Sequence, residues 1–412
     1  MAMLSFEQAR AQLLADARTV TGVEMLPTQS ACGRVLAADQ VSTIAVPPLD
    51  NSSMDGYALS CADVPAVGTR LAVAQRIAAG SVGHRLLPGT AARIFTGAPV
   101  PAGADAIVMQ ELTSREGDAV TIDHLPAKGD WIRRAGEDIG RGDRLLAAGT
   151  RLLPQHLGLA ASVGLAVLPV FRRLKVALFS TGDELCSIGS PLAPGAVYDS
   201  NRYTLWGMLT RLGCEVIDMG VVKDEPAALE AAFREAANCA DAIITSGGVS
   251  VGEADFIKQL MAQLGEVAFW KIAMKPGRPM AFGRINAGKI GDVRSSAWLF
   301  GLPGNPVAVM VTFYQFVQPA LLRLMGIDPL PPLPSFAARC VAPMKKGKGR
   351  TEFQRGILFQ ENGEWCVRPT GHQGSGMLSS MAKADCFIVL EAEREKVAAG
   401  DLVQVQVFGG LV

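Results

Sequence analysis

The residues best placed to do chemistry lie in one stretch, Asp241-Ala-Ile-Ile-Thr-Ser-Gly-Gly-Val-Ser-Val-Gly-Glu-Ala-Asp255. Its apolar run, Ala242 to Ile244, reads as a buried strand. A turn of small residues follows, and Ile257, Leu260, Met261 and Leu264 then recur at helical spacing until Gly265. In an open α/β sheet, ligands sit beyond the carboxyl ends of the strands, where this turn falls. Gly247 and Gly248 allow close backbone approach, and the free N–H groups of a helix start attract anions. Glu253 and Asp255 stand at that same helix start. An anion-friendly backbone beside carboxylates points to a phosphate accompanied by a divalent cation. The plainer alternative is a helix capped by its own acids with nothing bound.

Other strand ends carry similar residues. Ser180-Thr-Gly-Asp-Glu184 follows one expected strand, Lys223-Asp224 the next, and Gly301-Leu-Pro-Gly-Asn-Pro306 the last. Adjacent strand ends converge, so Glu184, Asp224 and Asp255 can face one crevice. Without His or Cys among them, these carboxylates suit a hard cation such as Mg²⁺. Lys271, Lys275 and Arg278 supply positive charge nearby, and the even spacing of the two lysines puts them on one face of an extended strand. Solvated edge lysines are the ordinary alternative. Pro276, Gly277 and Pro279 make the loop rigid, which favours phosphate binding. Farther on, Gly371-His-Gln-Gly-Ser-Gly376 is a glycine-dense loop, and Glu352-Phe-Gln-Arg355 adds a cation.

Several motifs are absent. No GxGxxG or GxxxxGK[ST] occurs. Gly248-Val-Ser-Val-Gly252 matches the nucleophile elbow GxSxG around Ser250, but only His372 follows it, beyond a Pro-rich boundary. A serine hydrolase is therefore disfavoured. His84, His124, His156 and His372 have no ligand spacing, and no two cysteines form a CxxC pair, so structural zinc is disfavoured too.

These residues need a scaffold, and 412 residues allow two to four domains. Lys+Arg and Asp+Glu both number 39, so no global field draws the chain to nucleic acid or anionic membrane. The eight cysteines are expected to be reduced core residues of a cytoplasmic protein. The start lacks the pattern of a signal peptide, and the greasy stretch Leu157 to Phe171 is too short and broken to span a bilayer.

Ser5-Phe-Glu-Gln8 is a capping box opening an amphipathic helix. From Ala58 to about Arg151, short β-like runs alternate with Gly/Pro turns. Helical pattern returns around Pro154 to Leu168. From Arg173 strands and helices alternate through a long apolar helix, Val307 to Met325. Asp328 to Pro334 is a stiff boundary, and Thr351 to Phe359, Trp365 to Arg368, Phe387 to Leu390 and Leu402 to Phe408 read as strands of a small barrel or sandwich. The expected fold is α/β multidomain. An N-terminal helical and linking domain comprises residues 1–50 plus 148–172, and a β-rich domain is inserted at 51–147. A doubly wound α/β domain spans 173–328, and a small β-barrel spans 329–412.

Six motifs then occur in order: Asp50-Asn-Ser-Ser-Met-Asp-Gly-Tyr-Ala, Thr96-Gly-Ala-Pro-Val-Pro, Arg134-Ala-Gly-Glu-Asp-Ile, Ser180-Thr-Gly-Asp-Glu-Leu, Ser246-Gly-Gly-Val-Ser-Val-Gly-Glu-Ala-Asp and Gly301-Leu-Pro-Gly-Asn-Pro. Together they make the chain resemble, over nearly its whole length, the bacterial MoeA proteins, the molybdopterin molybdenumtransferases similar to the E domain of gephyrin. The resemblance implies a MogA-like α/β domain and insertion of molybdenum from molybdate into adenylated molybdopterin, with Mg²⁺-dependent release of AMP. It also implies a homodimer whose cleft is composite, the second domain of one subunit facing the α/β domain of the other. By position, the resemblance assigns Glu184, Asp224 and Asp255 to the cleft acids and metal site, and Asp55, Thr96 and Asp138 to the second domain's catalytic set. It assigns substrate binding to Ser246, Gly247, Gly248, Lys271, Lys275, Arg278, Pro303, Pro306, Arg355 and Ser375. Implied partners are a MogA-type adenylyltransferase and molybdoenzyme apoproteins. Two departures stand out: Arg278 where Lys is expected, and a longer segment from Ile285 to Ser296 that reads as a hairpin. A non-catalytic molybdopterin carrier or scaffold on the same fold is the rival reading.

Overall fold

The structure, a computed structural model, describes residues 3–20, 22–247, 255–286 and 296–410, and no side chains for 255–258. Gly248, Ser250, Glu253 and residues 287–295 of the expected hairpin lie outside the described residues, as does the side chain of Asp255.

Helix α1 (Phe6–Asp16) opens with the expected capping box, Ser5 and Gln8 each accepting from the other's backbone N–H. It does not pack with the helix expected near residue 154. Phe6 meets Phe316 and Phe353 with ring centroids 5.3 and 5.4 Å apart, so α1 fills the seam between the α/β sheet and the barrel. Strand β1 (Val23–Pro27) follows.

The inserted unit holds β2 (Gly56–Leu59), β3 (Thr69–Ile77), β4 (Thr90–Ile94), β5 (Ala106–Met109), β6 (Thr113–Glu116) and β7 (Ala119–Ile122). They form one sheet of order β5-β2-β4-β3-β7-β6, antiparallel except for β3–β4. Its two cores, around Tyr57, Leu71, Val108 and Ile122 and around Ile77, Leu86 and Ile107, draw no residue from the rest of the chain. The helical pattern expected for Pro154 to Leu168 resolves into α2 (Pro154–Ser162) and β8 (Val167–Phe171), the latter antiparallel to β1. Gly164, at φ +78°, turns the chain between them.

The α/β unit contains β9 (Lys175–Thr181), α3 (Ser200–Leu212), β10 (Glu215–Val222), α4 (Pro226–Cys239), β11 (Ala242–Ser246), α5 (Asp255–Leu264), β12 (Gly265–Lys271), β13 (Pro279–Asn286), β14 (Ser296–Leu302) and α6 (Pro306–Leu324). The sheet order is β10-β9-β11-β14-β13-β12. The first four strands run parallel, β13 pairs antiparallel with β14, and β12 pairs antiparallel with β13. Every residue of β9 from Val176 to Thr181 is buried, because helices cover both faces, so the strand reads as a continuous apolar run. Leu205 and Leu209 of α3 pack on one face with Val309 and Leu321 of α6, whereas Leu229 and Phe233 of α4 and Leu260 of α5 pack on the other. Burying each such side chain contributes about 1.5–3 kcal/mol before the entropy cost is counted. Among the described residues α6 is the one helix long and apolar enough to cross a membrane, yet 89% of its apolar window is buried inside the molecule. Residues Phe313–Val317 within it form a π turn.

After the Pro-rich boundary come β15 (Ser335–Cys340), β16 (Thr351–Glu361), β17 (Glu364–Pro369), α7 (Leu378–Ala382), β18 (Cys386–Leu390) and β19 (Leu402–Val407). Pairing runs β16-β17-β15-β19-β18 and returns to β16, a closed five-stranded barrel. The four strands expected from the sequence need β15 to close the ring. Of the cysteines expected in the core, Cys214, Cys340, Cys366 and Cys386 are buried, while Cys32 and Cys239 are exposed.

Candidate active site

The carboxyl ends of β10, β9, β11 and β14 lie side by side, with Ser180 level with Val221 and Ser246, and Ser246 level with Leu302. Here the sheet's backbone pairing stops and side chains take over. Ser246 accepts a hydrogen bond from Asn201 Nδ2 at 2.9 Å and donates to the Pro303 carbonyl at 3.2 Å. Asn201 also donates to the Gly304 carbonyl at 2.7 Å. Gly247 N–H donates to the Leu302 carbonyl at 3.2 Å. Gly247 sits at φ +99°, and a Cβ there would overlap the Thr181 carbonyl oxygen, so the position requires glycine. The hydroxyls of Thr181 and Thr245, on the opposite face from Ser180 and Ser246, are buried without a hydrogen-bond partner.

Asp224 and Glu184 come to the ends of neighbouring strands. The contact between the two turns runs through Asp183, whose Oδ1 accepts from the Asp224 N–H at 3.3 Å. The exposed carboxylate of Glu184 lies over Gly182, its Oε2 2.6 Å from where a Cβ would stand. The side chain of Asp255, the third expected metal ligand, lies outside the described residues. Among the described residues no three His, Cys, Asp or Glu form a metal-ligating group.

The cations are arranged differently from the sequence expectation. Lys271 and Lys275 do not share a strand. Lys271 ends β12, the buried Ile272 bridges to Leu4, and Met274–Lys275 pairs instead with β16 of the barrel. Hydrogen bonding of Ile272 N–H to the Arg278 carbonyl at 2.9 Å closes this stretch into a loop, with Pro276 and Gly277 buried beneath it. Lys271, Lys275 and Arg278 are the exposed residues of the loop. Lys275 is half committed: its Nζ lies 2.5 Å from Oε1 of Glu352, which is only 4% exposed.

The glycine loop of the barrel reaches the same edge, for the Ser375 carbonyl accepts from the Val307 N–H at 3.0 Å, one residue beyond Pro306 at the start of α6. Arg355 supports that loop from inside. It is 1% exposed, donating to the carbonyls of His372, Gln373 and Gly374 at 3.3, 3.2 and 3.0 Å and to Ser380 Oγ at 2.9 Å. Desolvation by burial pushes its pKa down. The expected substrate-binding role of Arg355 is therefore corrected to holding the loop, because its guanidinium is spent on protein acceptors.

Asp55 and Thr96 meet on one rim of the inserted unit, and Asp138 lies elsewhere in the same unit's sequence, after Arg134. Asp55 Oδ1 accepts from the backbone N–H and the hydroxyl of Thr96, both at 2.8 Å. These two bonds, with the Arg93 charge behind them, hold its carboxyl below the ordinary carboxylate range. The exposed Asp138 is positioned by its N–H, which donates to the Val46 carbonyl at 3.0 Å. No hydrogen bond, ion pair or shared core among the described residues joins this rim to the strand ends of the α/β sheet.

Three residues at the α/β edge carry geometry that sequence reading passed over: Asp183, Asp199 and Asn201. Asp199 is 1% exposed, caps α3 through the Arg202 N–H, and accepts from Ser180 Oγ at 3.0 Å. The available signal was Asp199-Ser-Asn201 just ahead of the helical period of Leu205, Met208, Leu209 and Leu212.

Comparison with known proteins gives a consistent result. Residues 4–164 match the model for the MoeA N-terminal region (domain I and II), 177–323 that described as "Probable molybdopterin binding domain", and 337–408 the MoeA C-terminal region (domain IV). The chain is 45% identical to a molybdopterin molybdenumtransferase of Haemophilus influenzae, covering 100% of both. It is 38% identical to molybdopterin molybdenumtransferase 2 of Mycobacterium tuberculosis, covering 96% of both. A crystal structure of a molybdopterin biosynthesis MoeA protein from Pyrococcus horikoshii superposes with TM-score 0.81 at 32% identity, over 99% of each chain.

Proposed function

The chain belongs to the MoeA family of molybdopterin molybdenumtransferases, and we propose that it inserts molybdenum from molybdate into adenylated molybdopterin, with Mg²⁺-dependent release of AMP. The observation that carries this reading is the edge just described. Around the ends of four parallel strands stand two glycine turns and the exposed carboxylates of Asp183 and Glu184, and a loop of three cations joins β12 to β13 in the same sheet.

The residues present fit the metal. Mg²⁺ is held through one or two carboxylates plus substrate phosphates, and Glu184 and Asp224 would be its hard oxygen donors at the ends of neighbouring strands, on turns joined through Asp183. Bound there, Mg²⁺ would neutralise charge on the substrate's phosphoanhydride as it breaks to release AMP. The protein's own part is positioning and charge. Lys271 and Arg278, which form no ion pair among the described residues, attract the molybdate dianion or a phosphoryl oxygen. The Ser246-Gly247 and Pro303-Gly304 turns bring backbone close to the pterin end. Asp55, kept ionised by Thr96, orients donors of the substrate from the facing rim.

In this reading the facing rim comes from a second copy. Within one chain the inserted unit keeps cores of its own, and the β1–β8 ribbon exposes Val23 at 60%, Met25 at 59% and Val167 at 48%, apolar surface suited to a homodimer. The enzyme would work in the cytoplasm, receiving substrate from a MogA-type adenylyltransferase and passing cofactor to molybdoenzyme apoproteins.

The test is AMP release from adenylated molybdopterin, with and without molybdate and Mg²⁺, for wild type and Asp224→Asn. The expected result is release that needs both ions and falls at least about a hundredfold in the variant. Tight binding of the adenylate without turnover by wild type would instead leave a carrier or scaffold.

A further inference from the structure

The first turn of α3 touches the edge at three places. Asp199, its N-cap, is locked to β9 through Ser180 Oγ and to the helix through the Arg202 N–H and Nε, at 3.0, 3.2 and 3.1 Å. Two residues on, Asn201 spends both hydrogens of its amide nitrogen outside the helix, on Oγ of Ser246 at the end of β11 and on the Gly304 carbonyl after β14. The orientation of this amide is dictated by its partners. Gly304 offers only a carbonyl, and the Ser246 hydroxyl gives its own proton to the Pro303 carbonyl, so both sites need a donor. The consequence is a cost: Asn201 Oδ1 is left buried with no donor. An apolar side chain of similar volume would avoid that cost, so the amide is explained by the two bonds it donates.

We propose that Asn201 is a positioning residue for the pterin end of the site, holding the Ser246-Gly247 turn and the Pro303-Gly304 turn at a fixed separation. The inference rests on the proposed function for the identity of the ligand. Asn201 itself contacts protein only. Its loss removes two of the four hydrogen bonds that fix these turns, leaving only the Ser246–Pro303 bond and the Gly247–Leu302 bond between them.

The experiment uses full-length Asn201→Ala, Asn201→Leu, Ser246→Ala and the Asn201→Ala/Ser246→Ala double variant. Molybdopterin affinity is measured by equilibrium ultrafiltration, the ligand being quantified as its fluorescent oxidised derivative, alongside Tm and the KM for molybdate. The expected result is a rise of about tenfold in molybdopterin Kd for both Ala and Leu at position 201, with the molybdate KM unchanged and the double variant little worse than Asn201→Ala. A packing role gives rescue by Leu, and a purely stabilising role lowers Tm while Kd per folded molecule stays within about twofold; either overturns the proposal. Wild type that binds molybdopterin but releases no AMP overturns the transferase chemistry alone, and the comparison of affinities still decides the role of Asn201.

Discussion

At Asp55 a single carboxylate oxygen takes two hydrogen bonds from Thr96, and Arg93 adds favourable charge, so the acid is held ionised below its ordinary range. A folded-state pKa below the unfolded value near 3.8 means the pair's contribution to stability is complete above that value and is lost as pH falls through the lowered one. Thr96→Val removes the hydroxyl bond and keeps the backbone bond. The expected outcome, read by NMR titration of the Asp55 carboxyl, is an upward move of its pKa toward the ordinary carboxylate value, and an unmoved titration would contradict the assignment of cause. Arg355 gives the complementary lesson. Its type and its place beside Glu352 read as a cation for substrate, whereas the structure turns it inward to three carbonyls and Ser380. Nothing local in Glu352-Phe-Gln-Arg355 encodes that, because its acceptors lie 17 to 25 residues farther along the chain.

Elements were legible where burial is two-sided or the period is clean. β9 and β11 read as strands from their continuous apolar runs, and α3 from its helical spacing closed by Gly213 at φ +101°. Two elements were hidden for physical reasons. β8 follows α2 through apolar residues that fit either period, and its strand identity comes from pairing with β1 far upstream. β15, Ser-Phe-Ala-Ala-Arg-Cys, has weak intrinsic β preference and is a strand because the barrel needs it between β17 and β19. The element most dependent on one side chain is the glycine loop 371–376. Arg355→Lys keeps the charge but replaces a fixed fork with a single ammonium, which cannot serve four separated acceptors. Amide exchange across 371–376 is expected to quicken and Tm to fall by about 4 °C or more. Unchanged exchange in that loop would show that Arg355 does not hold it.

Across the whole molecule, the sequence carried the order of the units but not their interfaces. That α1 lies in the seam between sheet and barrel follows from the contacts of Phe6 with Phe316 and Phe353, both hundreds of positions farther along the chain. The same holds for the Met274–Lys275 strand, which leaves the α/β sheet to join β16 and turns one expected lysine toward Glu352. Among the described residues no shared core links the inserted unit to the α/β sheet, and the proposed two-copy site would bring the acids of both to one substrate.

That arrangement is tested most directly in a heterodimer of one Asp55→Ala subunit and one Asp224→Asn subunit, isolated with two different tags and assayed for molybdate-dependent AMP release. If each site draws Asp55 from one copy and Asp224 from the other, one of the two sites is intact and about half of the wild-type activity per dimer returns. A heterodimer as inactive as both parent homodimers would place the two acids in the same chain's site and contradict the account.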